Sequence, residues 1–253
     1  MGSEMIRVYC FSGAGHSLRV AEEIAGAAGA ELCEIGGDTV CEGGTAAVVF
    51  PVYCEDVPRP VRGFLRRSSP EYIFYVAVYG GISHGNALIR AGREARRGAR
   101  AGRRPVPVTA GGAYIPSGHS FLEEHAGAAS DSEEPCAGHT ARLIAERLRE
   151  PRPAETGREG GPMRRSVFAG LFPALRSRAG VKIVRSELCD GCGICTAACP
   201  IGTCENGICG SRCIRCLRCV RVCPRGALTR RTAPFLERWL RRNRHECGPR
   251  LFL

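Results

Sequence analysis

Lysine is almost absent from this chain. Of its 36 Lys and Arg residues only Lys182 is lysine, so the formal net charge of +11 is carried by arginine. That skew reads as codon bias rather than as a nucleic-acid footprint, because no helix-turn-helix or RNA-binding signature accompanies it. A basic surface still favours an acidic protein partner. No run of eighteen apolar residues occurs, which argues against a membrane span. The opening MGSEMIRVYCF has no basic flank followed by a long apolar segment, so it reads as lacking a secretion signal, and a cytoplasmic location is expected. No G-x-G-x-x-G of the NAD(P)H type and no nucleophile–base arrangement is evident, which leaves substrate conversion without a candidate catalytic residue. Oligomeric state is not legible.

Cysteine, in contrast, is abundant, with 16 in 253 residues. Thiols in a reducing compartment stay reduced, so such a count points to metal rather than to disulfides. Two stretches concentrate them, CDGCGICTAACP (189–200) and CIRCLRCVRVCP (213–224), and both read C-x2-C-x2-C-x3-C-P. Structural zinc takes paired C-x2-C knuckles, for which a third cysteine at the same interval is surplus. The spacing suits a cubane iron–sulfur cluster: three thiolates wrap one face, and the fourth, on a short departing helix, reaches the neighbouring cluster. The expected ligands of one [4Fe-4S] cluster are Cys189, Cys192, Cys195 and Cys223. Those of the other are Cys213, Cys216, Cys219 and Cys199. Gly191 and Gly193 are expected to relieve crowding near sulfide. Pro200 and Pro224 would turn the chain after each fourth ligand.

The first run contains Asp190 and no arginine, whereas the second contains Arg215, Arg218 and Arg221, flanked by Arg212 and Arg225. One arginine about 6 Å from a cluster, at an effective dielectric of about 20, contributes roughly 3 kcal/mol before screening, an upper bound on the order of 100 mV. The Cys213-side cluster is therefore expected to be reduced first. Between the runs, ENGI signals a two-residue hairpin that places Cys204 opposite Cys209. Eight ligands already suffice, so these two are expected to be packing thiols, as are Cys10, Cys33, Cys41, Cys54, Cys136 and Cys247.

The first 150 residues alternate between apolar runs and helical patterns. Strands are predicted at 5–11, 31–35, 45–53, 71–81 and 104–112, and helices at 17–29, 59–68, 86–100 and 133–150. Repeated strand-then-helix predicts a parallel sheet covered on both faces. Ser12, Gly13, Ala14, Gly15, His16 and Ser17 form a small-residue loop between the first strand and the first helix, where backbone N–H groups and the helix dipole favour a phosphate. Residues 151–184 begin as a Pro/Gly-rich linker, and the apolar SVFAGLFPAL within them is expected to pack on a domain. Residues 232–253 read as a docking helix and tail, with Phe235, Leu236, Trp239 and Leu240 on one helix face.

Residues 185–231 resemble a two-cluster bacterial ferredoxin, a small α+β domain, with all eight ligand positions filled. Residues 1–150 resemble a flavodoxin, a doubly wound parallel five-stranded α/β sheet that binds FMN at its switch point. The whole chain is similar to the flavodoxin–ferredoxin fusion proteins of anaerobes. The resemblance rests on the Ser12–Ser17 loop, on Pro51-Val52-Tyr53, on Tyr79-Gly80-Gly81 continuing to Gly85-Asn86-Ala87-Leu88, and on AGGAYIPSG (110–118) as a late loop. It implies FMN contacts at these first three segments, with Tyr53, Tyr79 or Tyr114 as a stacking partner for the ring. Ala14 stands where the family has Thr, and His16 where it has Asn. The implied function is electron transfer between FMN, two [4Fe-4S] clusters and a redox partner protein. The alternatives are a flavin-dependent reductase of a small substrate, with His119 and His125 near its pocket, and an interaction module that has lost FMN.

Overall fold

In a computed structural model, the described residues are 5–102, 105–122, 138–155, 179–243 and 248–253. SVFAGLFPAL, His125, Cys136 and Cys247 lie outside them.

The N-terminal part alternates strand and helix: β1 (Ile6–Cys10), α1 (His16–Ala28), β2 (Glu31–Glu34), β3 (Thr45–Pro51), α2 (Arg59–Arg67), β4 (Tyr72–Tyr79), α3 (Ala87–Gly102), β5 (Val108–Pro116) and α4 (Gly138–Arg149). β3 after Thr45, and β4, are almost wholly apolar because both of their faces are covered, as central parallel strands require. One face packs on α1 and α4 through Val20, Ile24, Ile144 and Leu148. The other packs on α2 and α3 through Phe64, Leu65, Leu88 and Ala91. Strand order is β2-β1-β3-β4-β5, all parallel. This is the flavodoxin-like order, with its reversal between β1 and β3.

The sheet has a sixth strand. β10 (Arg250–Phe252) pairs antiparallel with β5, Leu251 opposite Ala113. The expected C-terminal tail therefore closes the edge of the first sheet, sparing β5 an unpaired rim. Gly111 makes this possible. Its φ of +143° is disfavoured for other residues, and a Cβ there would sit 2.4 Å from the Phe252 carbonyl oxygen. The segment 110–118 is consequently strand as far as Pro116 rather than a loop.

The C-terminal part comprises β6 (Val181–Arg185), α5 (Ile194–Ala197), β7 (Cys204–Glu205), β8 (Ile208–Cys209), α6 (Arg218–Arg221), β9 (Leu228–Thr232) and α7 (Pro234–Asn243). β6 and β9 form an antiparallel ribbon, as do β7 and β8. Asn206 and Gly207 take φ of 44° and 82°, the two left-handed positions that a type I′ hairpin turn needs. On α7, Leu240 is buried and Leu236 meets Gly180, but Phe235 and Trp239 are exposed, so the expected docking face is only half used.

Candidate functional site

Four loops leave the carboxyl ends of the parallel strands: 11–15 after β1, 52–58 after β3, 80–86 after β4 and 117–122 after β5. Doubly wound sheets bind ligands at this edge, beside the strand-order reversal. The cysteine-rich part of the chain sits on the same edge. The Arg218 guanidinium donates two hydrogen bonds to the Ser12 carbonyl, from Nε at 3.0 Å and Nη2 at 2.7 Å. It also pairs with Glu34 and lies over the Phe11 ring, 5.3 Å from the centroid. Arg221 Nε donates to the Gly13 carbonyl at 2.9 Å. Farther along the edge, Thr232 Oγ1 donates to the Phe121 carbonyl at 2.8 Å, and Arg230 to the carbonyls of Phe121 and Leu122. Arg218 is 9% exposed, and a charge so buried is tolerated because its donors are met.

Loop 12–17 has the chemistry of an anion cradle. Gly15, at φ 119°, opens the 13-residue helix α1. Ser12 and Ser17 are 4% and 2% exposed, and their hydroxyl oxygens have no hydrogen-bond partner. Two sealed hydroxyls at a helix N-terminus, with Arg218 and Arg221 adjacent, fit the phosphate end of a flavin nucleotide. Ala14 and His16 are half-buried in the same loop.

The other expected flavin contacts divide. Pro51 ends β3, and the Val52 N–H donates to the Val78 carbonyl at 2.8 Å. Tyr53 begins a tight turn whose middle residues, Cys54 and Glu55, have φ of 52° and 63°. Its hydroxyl lies against Gly13, and burial, followed by the charge of a Cys216 thiolate, pushes its phenol pKa well up. Tyr79 and Tyr114 belong to the core instead. They are 5% and 4% exposed, and the His84 ring lies stacked on Tyr114 at 3.7 Å. Neither ring is open to a stacking ligand. Gly80 lies close to His119, whose half-exposed ring also packs on Phe121. Gly81, at φ 72°, turns the loop.

Among the cysteines, Cys189, Cys192, Cys195 and Cys223 line one cavity, together with Asp190, Gly191, Gly193 and Pro224. The Cys192 N–H donates to Asp190 at 3.1 Å and, with a smaller contribution from Arg225, holds that carboxyl low. In the second run the Arg215 N–H points at Cys213 Sγ, 3.4 Å away. The Thr203 N–H likewise points at Cys199 Sγ at 3.3 Å. Burial pushes the Cys216 thiol up to about 11, with smaller upward contributions from Cys213 and Cys199. Thiols held this high become thiolates only when a metal replaces the proton. Cys204 and Cys209 stand opposite each other as expected, with sulfurs 3.8 Å apart, and within 4.8 Å of Cys219 Sγ. Cys10 and Cys41 are buried packing thiols, directed at the carbonyls of Ser17 and Gly43.

The two runs share one backbone. Gly191 and Gly193 have φ of 75° and 77°, and the matching positions Arg215 and Leu217 have 56° and 63°. These glycines supply the left-handed φ, and no protein atom lies within 4 Å of a Cβ built on either. Arg215 and Leu217 hold the same angles at a cost of about 1–2 kcal/mol each.

Gly13 lies directly beneath the second cysteine loop. A Cβ there would lie 2.0 Å from the Cys216 carbonyl oxygen, a backbone atom that cannot swing aside. Gly13→Ala is expected to force residues 213–221 off the loop at a cost of about 1–3 kcal/mol. Hydrogen exchange should then quicken by tenfold or more at 213–221 while the β3 and β4 amides stay protected.

Residues 211–229 match the 4Fe-4S binding domain family, which spans the second cysteine run. No curated protein matches the chain. A candidate flavoprotein from Bacteroides uniformis is similar in structure at 13% identity and a TM-score of 0.37, over 57% of this chain and 99% of its own. A flavodoxin, WrbA-like protein from Agrobacterium tumefaciens gives 15% identity and a TM-score of 0.36, over 59% and 96%. Likenesses at these scores carry no functional weight. The strand order and the matched cysteine segment define a flavodoxin-like domain fused to a ferredoxin-like one, an architecture suited to electron transfer. No helix among the described residues is long and apolar enough to cross a membrane.

Proposed function

We infer that this chain is an electron carrier in which FMN, held at Ser12–Ser17 and Tyr53, exchanges electrons with two [4Fe-4S] clusters. One cluster is assigned to Cys189, Cys192, Cys195 and Cys223, the other to Cys213, Cys216, Cys219 and Cys199. The single observation that carries this reading is the Arg218 clamp: it presses the second cysteine loop onto the phosphate loop, at the edge where the fold takes its ligand. The bound flavin would supply one- and two-electron chemistry, and the clusters single-electron chemistry. The protein's part is position and field. Ser12 and Ser17 hydroxyls and the start of α1 hold phosphate, and Arg221 ties the Gly13 carbonyl to the cluster loop. The outlet is a redox partner protein of acidic surface.

Arg215 contributes to the field of the second run; its N–H points at Cys213 Sγ, and its Nε is buried without a hydrogen-bond partner. A reductive titration followed by EPR should show two iron–sulfur signals, with the Cys213-side cluster reduced first. Arg215→Ala should lower that cluster's potential by up to about 100 mV. A single signal, or two potentials that ignore the substitution, would count against the reading.

A further inference from the structure

Cys204 and Cys209 belong to neither repeat of the cysteine pattern. They form a directly opposed pair across β7 and β8, closed by the Asn206-Gly207 turn. Opposed residues of an antiparallel ladder have Cα atoms about 4.5–5.5 Å apart, within the range a disulfide spans. Their sulfurs stand at 3.8 Å as thiols, so side-chain rotation alone can bring them to bonding distance. The hairpin is held from outside: the Asn206 N–H donates to Thr196 Oγ1 at 3.0 Å, and the Arg185 guanidinium donates to the Asn206 carbonyl at 3.2 Å. A bond across so short a loop constrains the unfolded chain little, so it makes a poor structural staple. Its location is informative. Cys204 is 4% exposed and sits in one apolar nest with Cys195, from the first quartet, and Cys219, from the second. Cys209 is half-buried and packs on that nest.

We propose that Cys204 and Cys209 form a reversible two-electron dithiol–disulfide couple set between the two cluster quartets. In the reducing direction the Sγ–Sγ bond breaks and each sulfur takes one electron and one proton. The electrons come singly from a low-potential one-electron reductant. In the protein that is a reduced iron–sulfur cluster on either side, an assignment that rests on the reading above. The protons come from solvent on the exposed side of Cys209. Oxidation reverses each step and returns two electrons and two protons. The pair thus stores two electrons next to centres that pass them one at a time.

The test uses the full chain purified without oxygen, poised at graded potentials with dithionite and mediators, then acid-quenched, alkylated and mapped by mass spectrometry. Wild type should take up about two more electrons per chain than Cys204→Ser/Cys209→Ser. Its Cys204–Cys209 segment should pass from unalkylated to doubly alkylated over that extra step, with iron per chain equal in both proteins. Three results overturn the proposal: equal electron uptake with both thiols alkylated at every potential, iron lost from the double variant, or zinc bound at the pair. Cys204→Ala and Cys209→Ala, tested singly, should each abolish the step and keep the iron, which separates loss of the bond from loss of the fold.

Discussion

Arg218→Ala is expected to undock the cysteine-rich part from the flavodoxin-like sheet. The substitution removes two charge-assisted hydrogen bonds to the Ser12 carbonyl and the stacking on Phe11, and leaves Glu34 unpaired. Hydrogen bonds from a charged donor are worth about 1.5–3 kcal/mol each. Glu34 is mostly exposed, so its pairing adds little. A loss of about 3 kcal/mol lowers the docking equilibrium constant roughly 100-fold. Hydrogen exchange at the Ser12–Gly15 amides should quicken by that factor, and intramolecular electron exchange should slow in proportion to the lost proximity. Arg225→Ala is the control. Its pair with Asp190 is exposed on both sides, and its removal should leave both readouts within twofold. Arg218→Lys should behave much as alanine does, because one ammonium cannot meet Ser12, Glu34 and Phe11 together.

Cys199→Ser is expected to remove the cluster of the other run. The pattern assigns Cys199 to the Cys213, Cys216 and Cys219 quartet, while Cys223 returns to the cavity lined by Cys189, Cys192 and Cys195. Iron should fall from about eight to about four atoms per chain. The surviving EPR signal should be the one insensitive to Arg215→Ala. Cys223→Ser should give the mirror result, sparing the Arg215-sensitive signal. Since metal binding is folding energy in a small domain, both variants should also lower the melting temperature of the cysteine-rich part well before that of the sheet. Loss of the Arg215-sensitive signal from Cys223→Ser would mean that each run holds its own cluster.

These residues show where the sequence was informative. Cysteine spacing and the Asn-Gly turn are local signals: the geometry they demand is settled within a few residues, and the Cys204–Cys209 pairing followed directly. The buried strands β3 and β4 were equally legible, because long runs of almost wholly apolar residues admit few other fates. β10 was not legible. Three residues carry no periodicity, and what makes them a strand is the open edge of β5 and the space over Gly111. The Arg218 clamp was invisible for another reason. In an arginine-rich chain it reads as one more solvated charge, and its partner carbonyl lies 206 positions away. Tyr79 and Tyr114 misled in the opposite sense: their position after strands suggested a ligand wall, but His84 and Phe252 cover them. The left-handed angles at Gly191 and Gly193 recur at Arg215 and Leu217, where residue type gives no signal of them.

Arg218 and Arg221 reach Ser12 and Gly13 from the second cysteine loop, which holds Arg215 and Leu217 in left-handed angles that need support. Cluster insertion would supply that support, so loading of iron and docking on the 12–17 loop should be coupled.

The most direct test is the content of the protein purified without oxygen. Iron, acid-labile sulfide and released flavin should come to about eight, about eight and about one per chain. A colourless protein carrying zinc and no flavin would contradict the assignment of both cysteine runs and of the phosphate loop.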